Sequence, residues 1–153
     1  YEEPRGNIWT TFKESSFRDY DELCNLTFNH DKFSVSNFNV FRGFHGDYKS
    51  YKLVTCVHGS IDQYIYDNRE ASHTYGNLIK TNISRNDYLS VLIPPGCGNA
   101  YHVKSDQAVY HYKLSYSGDY IDSDKQFTIK WHNDLVRSNF TSDFSPITSE
   151  RDS

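Results

Sequence analysis

Methionine does not occur in the 153 residues, cysteine occurs three times and proline four times. Cys24, Cys56 and Cys97 make no closed disulfide set and none sits in a C-x-x-C pair, so a reduced, cytoplasmic setting is expected. No apolar run approaches the ~18 residues that cross a bilayer, and no signal-peptide core is present, so no membrane partner is expected. Positive charge is also scarce. Sixteen Lys and Arg against 20 Asp and Glu give a net charge of −4. No basic field favours nucleic acid, and no nucleic-acid partner is expected. Pro/Ser linkers, low-complexity tracts and internal repeats are missing as well, and residues 1–153 read as one domain. Because the chain starts at Tyr1 and holds no methionine, its N-terminus is expected to be trimmed.

Aromatic residues are abundant: 13 Tyr, 10 Phe and 2 Trp make up 16% of the chain, too many for a disordered segment. One helix is expected, over residues 14–26 (ESSFRDYDELCNL). There Phe17, Tyr20, Leu23 and Cys24 fall on one face, and Ser15 or Ser16 is placed to cap the start. Eight segments rich in Tyr, Val, Ile, Phe and Thr read as strands: 38–41, 51–58, 61–67, 78–82, 88–93, 101–104, 108–114 and 127–131. His58-Gly59-Ser60 reads as a hairpin turn, and Pro94-Pro95-Gly96 opens a loop. Short strands about ten residues apart with one helix predict a jelly roll or related antiparallel barrel. Strand parity puts Lys52 on one face with Val54 and Cys56, and Tyr110, Tyr112 and Leu114 on one face with Ala108. A lysine among apolar neighbours either meets an anion or polarised oxygen, or snorkels to solvent.

Several motifs fail. Gly96-Cys97-Gly98-Asn99-Ala100-Tyr101 starts like a dinucleotide fingerprint, but Tyr101 stands where the third glycine is required and a strand follows, not a helix. There is no P-loop and no G-x-S-x-G. No two of the seven histidines lie two or four residues apart, so no strand-face metal pair exists and no metal site is expected. Asn25-Leu26-Thr27, Asn82-Ile83-Ser84 and Asn139-Phe140-Thr141 match the glycosylation sequon, which chance supplies readily in a chain rich in Asn, Ser and Thr.

The segment Asn39-Val40-Phe41-Arg42-Gly43-Phe44-His45 resembles the R-G-L-H signature of the dTDP-4-dehydrorhamnose 3,5-epimerase family, cupin-fold enzymes that use no cofactor. The likeness continues in order along the chain. Arg5-Gly6 resembles the family's D-x-R-G, Lys52-Leu53-Val54-Thr55-Cys56 its K-L-V-R-C, and Ile93-Pro94-Pro95-Gly96 its I-P-x-G. Tyr112-Lys113 resembles its Y-K strand, Trp131 to Asp134 its W-N-D turn, and Ser149-Glu150-Arg151-Asp152 its closing S-x-K/R-D. The fold this implies is all-β, a cupin-type jelly-roll barrel with one short N-terminal helix. Two departures stand out: Asn99 replaces the histidine of the family's A-H-G-F motif, and Gln63 falls where its V-F-D-V strand carries an acid. Gly6-Asn7-Ile8-Trp9-Thr10, His30-Asp31-Lys32-Phe33, His45-Gly46-Asp47, Gly98-Asn99-Ala100 and Gly118-Asp119-Tyr120 look closer to epimerases of GDP-4-keto-heptoses in bacterial capsule synthesis.

The resemblance implies an epimerase acting on a nucleotide-diphosphate 4-keto sugar, with no cofactor, working as a homodimer. Removal of a proton at C3 or C5, both alpha to the C4 carbonyl, gives an enolate with its charge on O4. The resemblance assigns His45 as base, paired with Asp152, and Tyr112 as the acid on the opposite face. A phenol is a weak acid, so neighbouring cations are expected to lower the Tyr112 pKa. Lys52 and Arg42 match positions at O4 and the substrate; Arg5, His30, Lys32 and Arg151 match positions near the diphosphate. Asn99 and Tyr120 complete the expected binding set. GDP-4-keto-heptose is the favoured substrate. A dTDP-4-keto-6-deoxyhexose, a non-catalytic cupin sugar-binding domain and a secreted lectin-like jelly roll are the alternatives.

Overall fold

Residues 51–67 form two strands joined at Gly59 (φ +77°, where a Cβ would strike the Gln107 carbonyl oxygen), but the two belong to different sheets, so His58-Gly59-Ser60 is a crossover from one sheet to the other and not the hairpin turn expected. The computed structural model describes residues 2–153. Eleven strands run β1 Glu2–Glu3, β2 Gly6–Asn7, β3 Phe28–Asn37, β4 Phe41–Gly46, β5 Tyr51–His58, β6 Ser60–Asp67, β7 Leu78–Ser84, β8 Ser90–Ile93, β9 Cys97–Val103, β10 Gln107–Ser115 and β11 Phe127–Thr128. Two of the sheets form the body, in the orders β3-β10-β5-β8 and β11-β4-β9-β6-β7, and a ribbon of β1 and β2 stands apart. All strand pairings are antiparallel. This is an all-β jelly roll of the cupin type.

The two main sheets enclose one core of Val54, Cys56, Ile61, Ile83, Ile93, Tyr101, Val103, Ala108 and Tyr110. A second core lies on the other face of the five-stranded sheet, where Phe41, Phe44, Tyr64, Tyr66 and Ala100 pack against Ile129, Val136 and Phe140 of the C-terminal segment. All seven residues of β9 are therefore buried, since neither face of that strand meets water. Among the described residues no helix is long and apolar enough to cross a membrane.

The helix expected over residues 14–26 does not form. A single 3-10 turn, Glu14–Phe17, stands there with no side-chain cap, followed by turns. Serine, aspartate and asparagine in this stretch favour local backbone bonds over a helix. Phe17 is drawn instead into an aromatic group with Phe12 and Phe28. Tyr20 remains 62% exposed. Several strands also differ from expectation: the one expected over 101–104 starts at Cys97 and the one expected over 127–131 ends at Thr128. Residues 28–37, unassigned from sequence, form β3. The strand expected over 38–41 begins only at Phe41 and runs to Gly46.

Candidate active site

Local backbone geometry puts the chemistry-bearing residues of β4 on one face. Parity would separate Arg42 from His45, yet both line the same cavity. A shift in the β4–β9 register between Arg42 and His45 brings them together. Gly43 lies within that irregularity at φ +117°, and a Cβ there would sit 2.4 Å from the Asn99 carbonyl oxygen. Only glycine lets β4 make this step.

The cavity occupies about 320 Å³ at the polar end of the barrel. β5 contributes Lys52, β9 Asn99, and β10 Tyr112 and Leu114. β3 supplies Lys32 and Ser34, and Arg151 and Asp152 come from the C-terminal segment. The loop after β10 closes one side with Tyr120, Asp122, Ser123 and Gln126. Nine of the eleven residues expected at a site are brought together here: His45, Tyr112, Asp152, Lys52, Lys32, Arg42, Asn99, Tyr120 and Arg151. Arg5 and His30 are not among its lining residues. Arg5 is exposed in the turn between β1 and β2. His30 lies behind the wall, its Nδ1 3.1 Å from the Tyr116 hydroxyl and its ring edge-on to Tyr120.

His45 sits between two partners. Its Nε2 lies 2.8 Å from Asp152 Oδ1, off the line of a straight hydrogen bond. Its Nδ1 lies 3.2 Å from Thr128 Oγ1, which accepts a bond from Arg151 Nε at 2.9 Å. With the Thr128 oxygen taken up by Arg151, its hydroxyl proton is free to face Nδ1. Burial pushes the Asp152 carboxyl up, but the adjacent imidazole and the Gly43 N–H outweigh it, so the pKa lies below the usual value. Asp152 is thus an anion whose charge draws the imidazole proton to the Nε2 side, leaving the Nδ1 lone pair as the basic one.

Lys52 is 7% exposed. Burial lowers its pKa to about 8, partly countered by the charge of Asp47. Its Nζ donates to the His45 carbonyl oxygen at 3.0 Å. The Tyr112 phenol differs from expectation: burial drives its pKa well above 10, and the Arg42 charge only partly offsets this. Desolvation beside the edge-on Tyr110 ring wins, although the Arg42 charge opposes it and the Lys32 ammonium lies near. Lys32 donates to the Tyr120 hydroxyl at 2.8 Å and lies over both the Tyr112 and Tyr120 rings. Arg42 Nε donates to Ser36 Oγ at 2.9 Å.

Among the described residues, four buried side-chain polar atoms lack a hydrogen-bond partner: Asp47 Oδ2, Ser50 Oγ, Arg151 Nη2 and Asp152 Oδ1. All four residues line this one cavity. Unmet buried polar groups are costly, and their concentration at one place marks a site built for a polar ligand. Sequence reasoning did not select Asp47, Ser50 or Thr128. Asp47 Oδ1 accepts the amides of Lys49 and Ser50, a local Asx turn for which the Asp-x-x-Ser spacing was the available signal.

Fold and site together define a jelly-roll protein with a histidine–aspartate pair, a buried lysine and a tyrosine around one polar cavity. The family model for dTDP-4-dehydrorhamnose 3,5-epimerase matches residues 1–153. The dTDP-4-dehydrorhamnose 3,5-epimerase of Escherichia coli K12 is 28% identical over 151 residues, covering 97% of this chain and 80% of that protein. Its Shigella flexneri counterpart is 31% identical over 136 residues, covering 83% and 75%. The crystal structure of NovW, a 4-keto-6-deoxy sugar epimerase from the novobiocin gene cluster of Streptomyces spheroides, superposes with a TM-score of 0.87 at 26% identity, covering 99% of this chain and 75% of that one. The chain belongs to the dTDP-4-dehydrorhamnose 3,5-epimerase family and is an epimerase of nucleotide-linked sugars.

Proposed function

We propose that the chain inverts C3, C5 or both of a dTDP-linked 4-keto-6-deoxyhexose through an enolate, and that it does so as a homodimer. The observation that carries the reading is the convergence of His45, Asp152, Lys52 and Tyr112 on one cavity whose wall holds every unpaired buried polar side-chain atom found among the described residues. The sequence favoured a GDP-4-keto-heptose. The relatives compared above carry dTDP-sugar or 4-keto-6-deoxy-sugar names, and the substrate reading moves to the first of the alternatives, the dTDP-linked 4-keto-6-deoxyhexose.

In this reading His45 takes the alpha proton on Nδ1 as Thr128 gives way, and the buried Asp152 anion stabilises the imidazolium that results. Lys52 meets the charge developing on O4, where a dry cavity strengthens the contact. Tyr112 returns a proton on the opposite face. Its raised pKa keeps the phenol protonated across the working range, and the enolate carbon is basic enough to take that proton. Lys32, Arg42 and Arg151 supply cations for the diphosphate. Incubation with dTDP- and GDP-linked 4-keto sugars in deuterated water tests this directly. Label at C3 or C5 of the dTDP sugar, absent in a His45→Asn variant, is the expected result. Label in the GDP sugar alone overturns the choice of nucleotide, and label in neither overturns the activity.

A further inference from the structure

At the cavity floor, three polar side chains form a group that the proton transfers above leave unused. Gln63 of β6 and Tyr110 of β10 are fully buried, and Asn99 of β9 is 5% exposed. The backbone fixes the direction of their hydrogen bonds. One end of the Gln63 side chain lies 3.2 Å from the Tyr64 carbonyl oxygen and 2.9 Å from that of Ala100. Carbonyl oxygens only accept, so this end is the Nε2 amide. Oε1 therefore faces Tyr110, whose hydroxyl donates to it at 2.5 Å. The same Nε2 group meets Asn99 Oδ1 at 2.5 Å, and the Tyr110 hydroxyl lies 3.4 Å from that oxygen. With its oxygen engaged at the floor, Asn99 has its NH2 group left for the cavity that it lines. Asn99 is also the cross-strand partner of His45, and the His45 carbonyl oxygen holds the Lys52 ammonium.

Resting on the epimerase reading of the site, we infer that Gln63 is a positioning residue that holds the Asn99 NH2 toward the cavity as a second, uncharged donor to O4 beside Lys52. Two donors divide the work by charge. The lysine gives the stronger contact while it is protonated, and the amide keeps its proton at every working pH. A carboxylate at position 63 has no proton to offer. Asn99 would then turn over, donate to that carboxylate and present an oxygen to the enolate.

The test combines kinetics with a readout that needs no turnover. In wild-type protein labelled with 15N, the Gln63 side-chain NH2 protons should exchange slowly with solvent and those of Asn99 rapidly. On the dTDP-linked 4-keto sugar, Asn99→Asp should lower kcat about 100-fold with KM changed less than threefold, as loss of one oxyanion donor does. Gln63→Glu should lower kcat similarly at high pH and recover part of it as the carboxyl protonates, adding a pH limb that wild type lacks. The pair Gln63→Met with Tyr110→Phe, which removes both buried partners at once, should keep the folded thermal transition and still lose kcat at least tenfold. Rapid exchange of the Gln63 NH2 protons overturns the inference. So does a Gln63→Glu enzyme with the wild-type kcat and pH profile, whatever its loss of thermal stability. Wild-type protein inactive on both dTDP and GDP sugars overturns the epimerase reading itself, and the amide exchange then still decides whether Gln63 orders Asn99.

Discussion

Lys52 sits where stability and activity pull apart. A lysine whose pKa falls from 10.5 to about 8 on burial costs the fold about 3 kcal/mol at pH 7. The unfolded chain binds the extra proton between pH 8 and 10.5, so the penalty is complete below pH 8 and fades as pH rises through that window. Lys52→Met should therefore raise Tm by several degrees at pH 7 while abolishing epimerisation. Its advantage over wild type should shrink toward pH 10. A variant that melts below wild type at pH 7, or whose advantage grows with pH, rules out this account. Tyr112 separates the two proton transfers. With Tyr112→Phe, His45 still takes the alpha proton and returns it to the same face after exchange with solvent. Deuterium should appear in recovered substrate of unchanged configuration, at a reduced but measurable rate. Inversion at close to the wild-type rate would show that another residue is the acid.

β4 and the loop after β6 each depend on one short sequence element. A methyl group on Gly43 would strike the backbone of Asn99 and Ala100 and oppose the φ of +117°. Gly43→Ala should cost about 3 kcal/mol or more, from the strain of a side chain at positive φ plus overpacking against the Asn99–Ala100 backbone, and should uncouple Arg42 from His45. A denaturant midpoint within error of wild type would refute this. At the end of β6, Asp67 accepts two side-chain bonds from Arg69 and one each from Ser72 and Thr74. The Arg69 pairing, against the opposing effect of burial, holds the Asp67 carboxyl well below the usual carboxylate range. Its contribution is present above pH 4 and lost as pH falls through the folded value. Arg69 is partly exposed and screened, so Asp67→Ala should cost about 2 kcal/mol at pH 7, with the gap to wild type closing in acid. The same elements explain what was legible. β5 runs over residues 51–58 as expected because it is rich in strand-forming Tyr, Val and Thr and Gly59 ends it, even though Lys52 to Cys56 are buried without a break. β4 was misplaced because its bulge breaks the period of two, and the sequence offers only Gly43 as a hint. β3 was missed because its polarity is reversed, with Lys32, Ser34 and Ser36 turned inward and Phe33 and Val35 outward. The site emerged from ordered motifs, not parity: spacing alone placed Lys52 and Tyr112 on inward faces but gave no sign that His45 and Arg42 share one.

At the scale of the molecule, that reversed strand bears on assembly. β3 is the edge of the four-stranded sheet and, among the described residues, is paired only with β10. Its outer face exposes Phe33 at 63% and Val35 at 56%, with Val35 opposite Val109 of β10. An apolar edge of this kind left in water invites pairing with another chain, and the proposed homodimer gives it a partner. The inner face of the same strand carries Lys32 and Ser34 into the cavity. Covering the outer face would hold both residues in register, so assembly and catalysis should be coupled through β3. Light scattering should give a mass near twice 17.9 kDa. Val35→Lys places a charge on the outer face while leaving every cavity residue in place. It should shift the mass toward the monomer and raise KM for the nucleotide sugar, because a β3 edge held on one side only presents Lys32 less firmly to the diphosphate. Raising protein concentration should restore both together if dissociation is the cause. A monomeric wild-type protein, or a monomeric variant with wild-type KM, would separate the outer face of β3 from the working of the site.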